Sequence, residues 1–374
     1  MIEPGLKDVR RQKLLAAMEA SDAEAVAIVP GANFYHLTGA HFHLMERPTV
    51  LFVTRSGALH AVIPELEKAR WQALAPEVET DYWQDSDGFD AAFASVARRL
   101  NASRIGVEGQ RMRVFEAEAL RRAFRDTPVL DAHAAISSIR LHKDDAEIAA
   151  MEKAIAISET ALATTLESVR PGMSEWDLRG RLLAAMLSEG ADGPAFDPIV
   201  LTGGAAADPH GSPSAERVLK KGDPLLIDFG AAWGGYNADI TRTFFVGEAG
   251  ARHRDVYEAV LAANARGRAI TRPGLTMDEL DRAVTGVLVD AGFADLVVHK
   301  TGHGLGQEVH EAPQVMKGNL QPAEPGMVVT IEPGLYRSDD VGVRIEDDVL
   351  VTADGCRSLS AFPRELTIVG ESVR

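Results

Sequence analysis

Apolar residues recur at helical spacing over residues 7–20, at Leu14, Leu15 and Met18, and the unbroken apolar run 25–29 then reads as a buried strand. Residues 49–53 and 60–63, parted by the turn residues Arg55, Ser56 and Gly57, predict a hairpin. Residues 89–100 and 114–125 predict helices, with a short strand at 105–108 between them. This alternation of helix and strand predicts a compact α/β domain ending near residue 136.

After His142 the period lengthens. A long amphipathic helix is predicted, with Asp144 or Asp145 near its N-terminus and an apolar stripe of Ile148, Met151, Ile155, Leu162, Leu166 and Val169. The change from residues 137–140 into this helix divides the chain into domains 1–136 and 137–374. Residues 170–178 then match residues 272–280 at an offset of 102 (272 − 170), beginning Arg170-Pro171-Gly172 and Arg272-Pro273-Gly274. Each copy places Ser174 or Thr276 three residues before Asp177 or Glu279, close to a capping box. Gly190 and Gly292 keep the same offset. A match that runs across a whole helix to its closing glycine points to duplicated halves rather than to two ordinary capped helices.

Composition narrows the class. At 374 residues two domains are expected, and an apolar share of 46% with 25% charged residues fits a globular protein. Apolar runs such as 50–53 and 225–227 are far too short to span a bilayer, so no membrane partner is expected. Residues 1–8 have neither a basic start nor an apolar core, so no signal peptide is expected. The single cysteine, Cys356, cannot form an internal disulfide, which fits a reducing cytoplasm. A net charge of −16 argues against a nucleic-acid partner.

Candidate chemistry lies in the last 150 residues. Asp228 ends the apolar run 225–227, Asp239 opens the strand-like run 240–246, and His303 sits in a glycine-rich stretch, 302–306. Glu332 precedes Pro333 and Gly334, and Glu346 follows Ile345. A lone acid is most often a solvated surface charge, but acids inside or beside apolar strands are costly when unpaired. Four carboxylates and one imidazole suit two hard divalent cations, without which carboxylates so close could not all stay ionised. A glycine-rich turn, 230–236, is expected to join two antiparallel strands and bring Asp228 and Asp239 to one sheet end. Asp239, Thr241 and Thr243 should share a face, as should Arg344 and Glu346 on one strand. A Glu346–Arg344 salt bridge is the structural alternative. His299 lies at the spacing of one helical turn before His303, His310 lies seven residues beyond it, and His210 sits in a loop. Such histidines can donate to a substrate carbonyl or to tetrahedral oxygens.

In these residues the chain resembles the proline-specific pita-bread metallopeptidases, the group of Xaa-Pro dipeptidase (prolidase) and aminopeptidase P in peptidase family M24. Asn33, Phe34, Tyr35, His36, Leu37, Thr38 and Gly39 resemble the creatinase-like domain that precedes the catalytic one. The five ligand positions match the family pattern, as do His210, His299, His310, Tyr336 and Arg344. The resemblance implies an α/β N-terminal creatinase-like domain followed by an α+β pita-bread catalytic domain with internal pseudo-twofold symmetry. It implies that Asp228 chelates one metal ion, His303 and Glu332 the other, and that Asp239 and Glu346 bridge the pair. Manganese is the family's frequent ion, and zinc and cobalt also suit the set. Water activated by both cations would attack, with Glu332 as proton shuttle and His210 and His310 on the carbonyl and oxyanion. His299, Tyr336 and Arg344 would bind substrate, Arg344 being the candidate for a free carboxylate. A proline-containing di- or oligopeptide is the implied partner, in a homodimer.

Between the two activities, the compact chain favours the dipeptidase, with the aminopeptidase acting on longer peptides as the alternative. A non-catalytic binding module is the alternative of another class, and the complete ligand set opposes it. No Gly-x-Ser-x-Gly elbow is present, residues 302–306 lack phosphate-loop spacing, and Cys356 follows a turn and is read as incidental.

Overall fold

Val26 and Ile28 of strand β1 (Ala25–Ile28) pack to one side and Ala27 to the other. That period of two lets a single sheet carry a core on each face. The computed structural model describes residues 4–19, 21–338 and 340–370, so residues 1–3 of the stretch read for a signal peptide lie outside it. The chain falls into two compact units, Met1–Arg140 and Leu141–Arg374. In the first, β1 joins β2 (Val50–Thr54), β3 (Leu59–Pro64), β4 (Glu79–Trp83), β5 (Ile105–Val107) and β6 (Val129–Asp131) in the order β4-β3-β2-β1-β5-β6. β2 runs antiparallel to β1 and β3, forming the expected hairpin, and the other neighbours are parallel. Helices α1 (Pro4–Glu19), α2 (Ala32–Thr38), α3 (Lys68–Leu74), α4 (Asp90–Leu100), α5 (Val114–Ala123) and α6 (His133–Ser137) flank it. Leu14, Met18, Phe34, Trp71 and Ile136 bury one face; Phe93, Val96 and Leu120 bury the other.

The second unit repeats itself. Helix α7 (Asp145–Glu167) is capped by Asp144, whose carboxylate accepts from Glu147 N while Glu147 reaches back, a full capping box. Its stripe is buried at Ile148, Met151, Ile155 and Leu162; Leu166 is half-buried, and Val169 is buried just past the helix end. It packs on α8 (Glu175–Ser188), as α9 (Ala251–Ile270) packs on α10 (Met277–Asp290). α8 and α10 each have 14 residues and a capping box, Ser174 with Asp177 and Thr276 with Glu279. Left-handed glycines precede both (Gly172, φ 89; Gly274, φ 84) and close both (Gly190, φ 92; Gly292, φ 88), a backbone that only glycine adopts without strain. The duplication read from sequence is a duplication of tertiary structure.

Strands fill the space between these helix pairs. They are β7 (Gly193–Pro194), β8 (Ile199–Thr202), β9 (Pro224–Phe229), β10 (Ala231–Trp233), β11 (Tyr236–Asn237) and β12 (Ile240–Val246) in the first half. In the second half come β13 (Gly302–Gly304), β14 (Glu311–Val315), β15 (Val328–Ile331), β16 (Gly334–Arg337), β17 (Val341–Arg344), β18 (Asp347–Val351), β19 (Cys356–Ser358) and β20 (Ile368–Val369). The two larger sheets are ordered β20-β12-β9-β8 and β14-β13-β15-β18-β19.

Three local expectations change. The glycines at 234 and 235 close a small hairpin, β10–β11, inserted between β9 and β12, so the β9–β12 connection is longer than a single turn. Glu346 does not share a strand with Arg344: Arg344 ends β17, and Glu346 lies in the joint before β18, where its N–H donates to Thr241 O. His299 is not on a helix with His303, because the glycines around His303 place it on β13, paired with β14 and β15. Among the described residues no helix is long and apolar enough to cross a membrane.

Candidate metal centre

Strands and the joints beside them position every candidate ligand. Asp228 lies near the end of β9, opposite Thr241 of β12, and Asp239 immediately precedes β12. His303 is central in β13, Glu332 follows β15, and Glu346 precedes β18. Ligand-type atoms of Asp228, Asp239 and Glu346 lie within 4.8 Å of one another, as do those of His303, Glu332 and Glu346. A third group holds Asp239, His303 and His310 on the same criterion. Glu346, Asp239 and His303 thus each belong to two groups. The five sequence-selected ligands, drawn from both halves of the repeat, converge on one place.

Neighbouring side chains hold them. Arg344 donates from Nη2 to Asp228 Oδ2 (2.5 Å), from Nη1 to the Tyr336 hydroxyl (2.7 Å) and from Nε to Thr241 Oγ1 (3.0 Å). Thr241 in turn donates to Glu346 Oε2 at 2.6 Å, so Arg344 forms its ion pair with Asp228 while Glu346 takes a hydroxyl. His299 Nδ1 lies 2.7 Å from Lys300 O, a pure acceptor, so Nδ1 carries the proton and Nε2 accepts from the Tyr336 hydroxyl at 2.8 Å. By the same reasoning His303 Nδ1–H donates to Gly304 O (3.1 Å). Its bare Nε2 is thereby aimed at Glu332 Oε1 (3.4 Å) and Asp239 Oδ2 (3.7 Å). Burial lowers His303 to about 3 and His299 to about 4, and lowers His310, so all three are neutral at pH 7.

The carboxylates respond in the opposite sense. Burial, then the charges of Glu346 and Asp228, push Asp239 well above the usual range; burial, then Glu332 and Asp228, do the same to Glu346. Glu332 is pushed up to about 8, by burial first, with the Arg344 charge opposing. Asp228 Oδ1 is buried and has no hydrogen-bond partner among the described residues. Crowded acids, an orphaned carboxylate oxygen and a neutral imidazole nitrogen facing them form a donor set that divalent cations fit.

One residue further along the chain the chemistry reverses. Asp347 is fully buried, and its carboxylate accepts from Arg242 (2.8 Å), Ser360 (2.8 Å), Arg364 (2.7 Å) and Asn264 (2.9 Å). Burial alone would raise it; Arg242 and Arg364 outweigh burial and hold it at about 2. Arg242 also donates to Glu346 O and Thr241 O, so this cluster braces the backbone behind the ligands. Asp348, also buried, accepts from Asp239 N at 3.2 Å.

A cavity of about 460 Å³ opens onto the centre. His210, His299 and His310 line it, and Phe196, Ile199, Pro209 and Val309 form its apolar wall, with Lys300 alongside. A larger cavity, about 720 Å³, lies in the N-terminal unit, but its wall is shared by leucines and the charged Lys7, Asp8, Arg11 and Glu77, and none of the five candidate ligands borders it. Tyr336 and Arg344 are buried; Arg344 bonds the candidate ligand Asp228, and Tyr336 bonds Arg344 and His299. Sequence reasoning missed Lys300, whose adjacency to His299 was the available signal. It also missed the apolar wall, for which the sequence holds no local signal. Cys356 donates to Arg268 O (3.0 Å), and burial pushes its thiol up, against a nucleophilic role.

Comparison with known proteins follows the same division. The family profile described as Metallopeptidase family M24 matches residues 149–353, and that of the Creatinase/Prolidase N-terminal domain matches residues 10–142. The chain is 32% identical over 356 residues to Xaa-Pro dipeptidase of Pyrococcus horikoshii, spanning 95% of this chain and 97% of that one. Among solved structures, recombinant prolidase from Thermococcus sibiricus superposes with a TM-score of 0.92 at 32% identity, over 99% of this chain and 100% of the other. The X-Pro aminopeptidase from Thermotoga maritima gives 0.84 at 28% identity, over 96% and 99%.

Proposed function

Because the chain belongs to metallopeptidase family M24, with a creatinase/prolidase N-terminal domain ahead of the catalytic one, we propose that it is an Xaa-Pro dipeptidase, hydrolysing the bond between an N-terminal residue and proline. Its fold is an α/β creatinase-like domain followed by a pita-bread catalytic domain, and it is a metal-dependent hydrolase. One observation carries the reading: four carboxylates and an imidazole meet within coordination reach beside a histidine-lined cavity.

In this reading Asp228, Asp239, His303, Glu332 and Glu346 would hold two divalent ions. The membership of Glu346 in the group with Asp228 and Asp239 and in the group with His303 and Glu332 supports a shared role for it. When bound, the ions supply Lewis-acid polarisation of the carbonyl and a lowered pKa for the attacking water. Glu332 carries the proton through its Oε2, since Oε1 faces Thr330 and His303. It takes that proton from the water and returns it to the departing prolyl nitrogen, which has no N–H of its own in the peptide. His210 and His310 donate N–H bonds to the scissile carbonyl and to the oxyanion that replaces it. The wall of Phe196, Ile199, Pro209 and Val309 accepts the prolyl ring and excludes water from it. His299, Tyr336 and Arg344 form a bonded relay that orients Asp228 at the cavity floor.

The oxygen-rich ligand set favours manganese over softer ions. A homodimer in the cytoplasm completes the reading, and metal analysis of the purified protein and light scattering test its metal and dimer. The resemblance to X-Pro aminopeptidase supports a second reading, action on longer peptides. The test offers Ala-Pro, Ala-Pro-Ala and Ala-Ala to the manganese-loaded protein and measures release of the first residue. Cleavage of Ala-Pro alone is expected. Cleavage of Ala-Pro-Ala selects the aminopeptidase, and inertness toward both proline peptides rejects the peptidase reading.

A further inference from the structure

We propose that Lys300 binds the free carboxylate of the substrate's C-terminal proline and so sets the preference for dipeptides over longer chains. The proposal rests on the peptidase reading above. In an Xaa-Pro dipeptide the carboxylate hangs from the carbon bonded to the scissile nitrogen, so its partner must line the same cavity as the ligands. Among the described residues that line it, the lysines and arginines are Lys300 and Arg344. Three of the five N–H groups of Arg344 donate to Thr241, Tyr336 and Asp228, and what sets it apart is that its charge is buried and already paired with Asp228. Withdrawing it toward substrate would strip Asp228 of its counter-charge, a costly exchange for a buried pair.

Lys300 stands differently. Its ammonium donates to the neutral amide oxygen of Gln314, so among the described residues no carboxylate neutralises it. An ammonium has three N–H groups, and two remain for a ligand. The backbone at Lys300 is held on both sides: Lys300 O accepts from His299, and Thr301 N donates to Asp281 Oδ1 at 3.0 Å. Gln314 is itself fixed, its Nε2 donating to Glu311 O at 3.0 Å. The ammonium is therefore pre-placed, at little ordering cost on binding. Lys300 lines the cavity together with His310, His303 and Glu332. A substrate carboxylate that leaves water for this cavity needs a partner charge, and the ammonium supplies one. A longer peptide or a C-terminal amide presents a neutral carbonyl there and gains nothing from it.

The experiment compares kcat/KM for Ala-Pro with that for Ala-Pro-amide in the manganese-loaded protein, its Lys300→Met variant and its Lys300→Arg variant. Loss of a charge-assisted bond to a carboxylate predicts that the acid-to-amide ratio falls about 10- to 100-fold in Lys300→Met, mainly through KM. Lys300→Arg should retain most of the ratio. Titration calorimetry with L-proline against L-prolinamide should give the same contrast without turnover. A structural role alone would lower both substrates together, and an unchanged ratio in Lys300→Met overturns the proposal. A parent protein that cleaves acid and amide equally well also overturns it, while leaving the peptidase reading intact. A protein that cleaves neither substrate sinks both.

Discussion

Glu346 and Asp347 are adjacent in the chain, both buried, and pushed in opposite directions. Glu346 faces Asp228, Asp239 and Glu332, and its carboxyl is raised well above the ordinary range; Asp347 faces Arg242 and Arg364 and is lowered to about 2. Burial raises both. What separates them is whether the fold itself supplies enough cations. Around Asp347 it does, and the result is a structural cluster bracing β12, β18 and the C-terminal segment. Around Glu346 it leaves an excess of acids, with Arg344 as the internal counter-charge, so the deficit is left to an external cation. Alternation along a strand, or a joint beside one, turns two consecutive acids into a ligand and a brace.

Removing a bridging candidate should have the largest effect. Asp239→Ala should abolish metal loading and turnover together, read by metal analysis and Ala-Pro hydrolysis; a loaded, active variant would refute its bridging role. Glu332→Gln should lower kcat by about 10²- to 10⁴-fold, the usual worth of a proton carrier. Near-parent rates would exclude it from that task. On the other side of the comparison, Asp347→Ala leaves Arg242 buried without its partner. A loss of about 3–5 kcal/mol in denaturant unfolding is expected, the range for breaking a buried pair; a loss below about 1 kcal/mol, the worth of an exposed pair, would make the cluster incidental.

The two carboxylate groups should also give opposite pH slopes. In chelated protein Glu332 titrates at about 8 when folded against 4.5 as the ordinary value, so the native state holds a proton that the unfolded chain releases. Its contribution is fully present below pH 4.5 and lost as the pH rises through about 8; thermal unfolding should show this fall, and manganese should abolish it. Asp347 works in reverse: its contribution is present above pH 3.8 and lost as the pH falls through about 2. A chelated protein whose stability does not decline between pH 5 and pH 9 would contradict the contrast. The smallest effect belongs to the repeat. Ser174→Ala and Thr276→Ala should each cost about 1 kcal/mol, the usual worth of an N-cap. Matching losses, with acid-to-amide selectivity intact, are expected of two equivalent caps remote from the chemistry.

Much of this was legible along the chain. Helices α4, α5 and α7 and the β2–β3 hairpin follow from period and turn residues, which report local backbone preference. The repeat was legible because capping boxes and left-handed glycines are local devices with their own residue types. The ligand set was legible because acids beside apolar strands are costly unless something compensates them. The errors lie where neighbours are distant. Glu346 was placed on the strand of Arg344, but its N–H bonds to Thr241, 105 residues away, and the chain changes sheets there. The bonds of Arg344 to Thr241, Tyr336 and Asp228, on other strands, were likewise not legible in the sequence.

The sequence by itself determined many of the elements, the duplication and the choice of five candidate ligands, since each depends on residue type and short-range spacing. Tertiary structure alone decided which acid each arginine neutralises, which cation in the cavity has no carboxylate partner among the described residues, and which nitrogen of His303 faces the carboxylates. Those choices turn on through-space contacts of a few ångströms between residues some hundred positions apart. Coulomb and hydrogen-bond energies fall off over that distance, and no pattern along the chain encodes them.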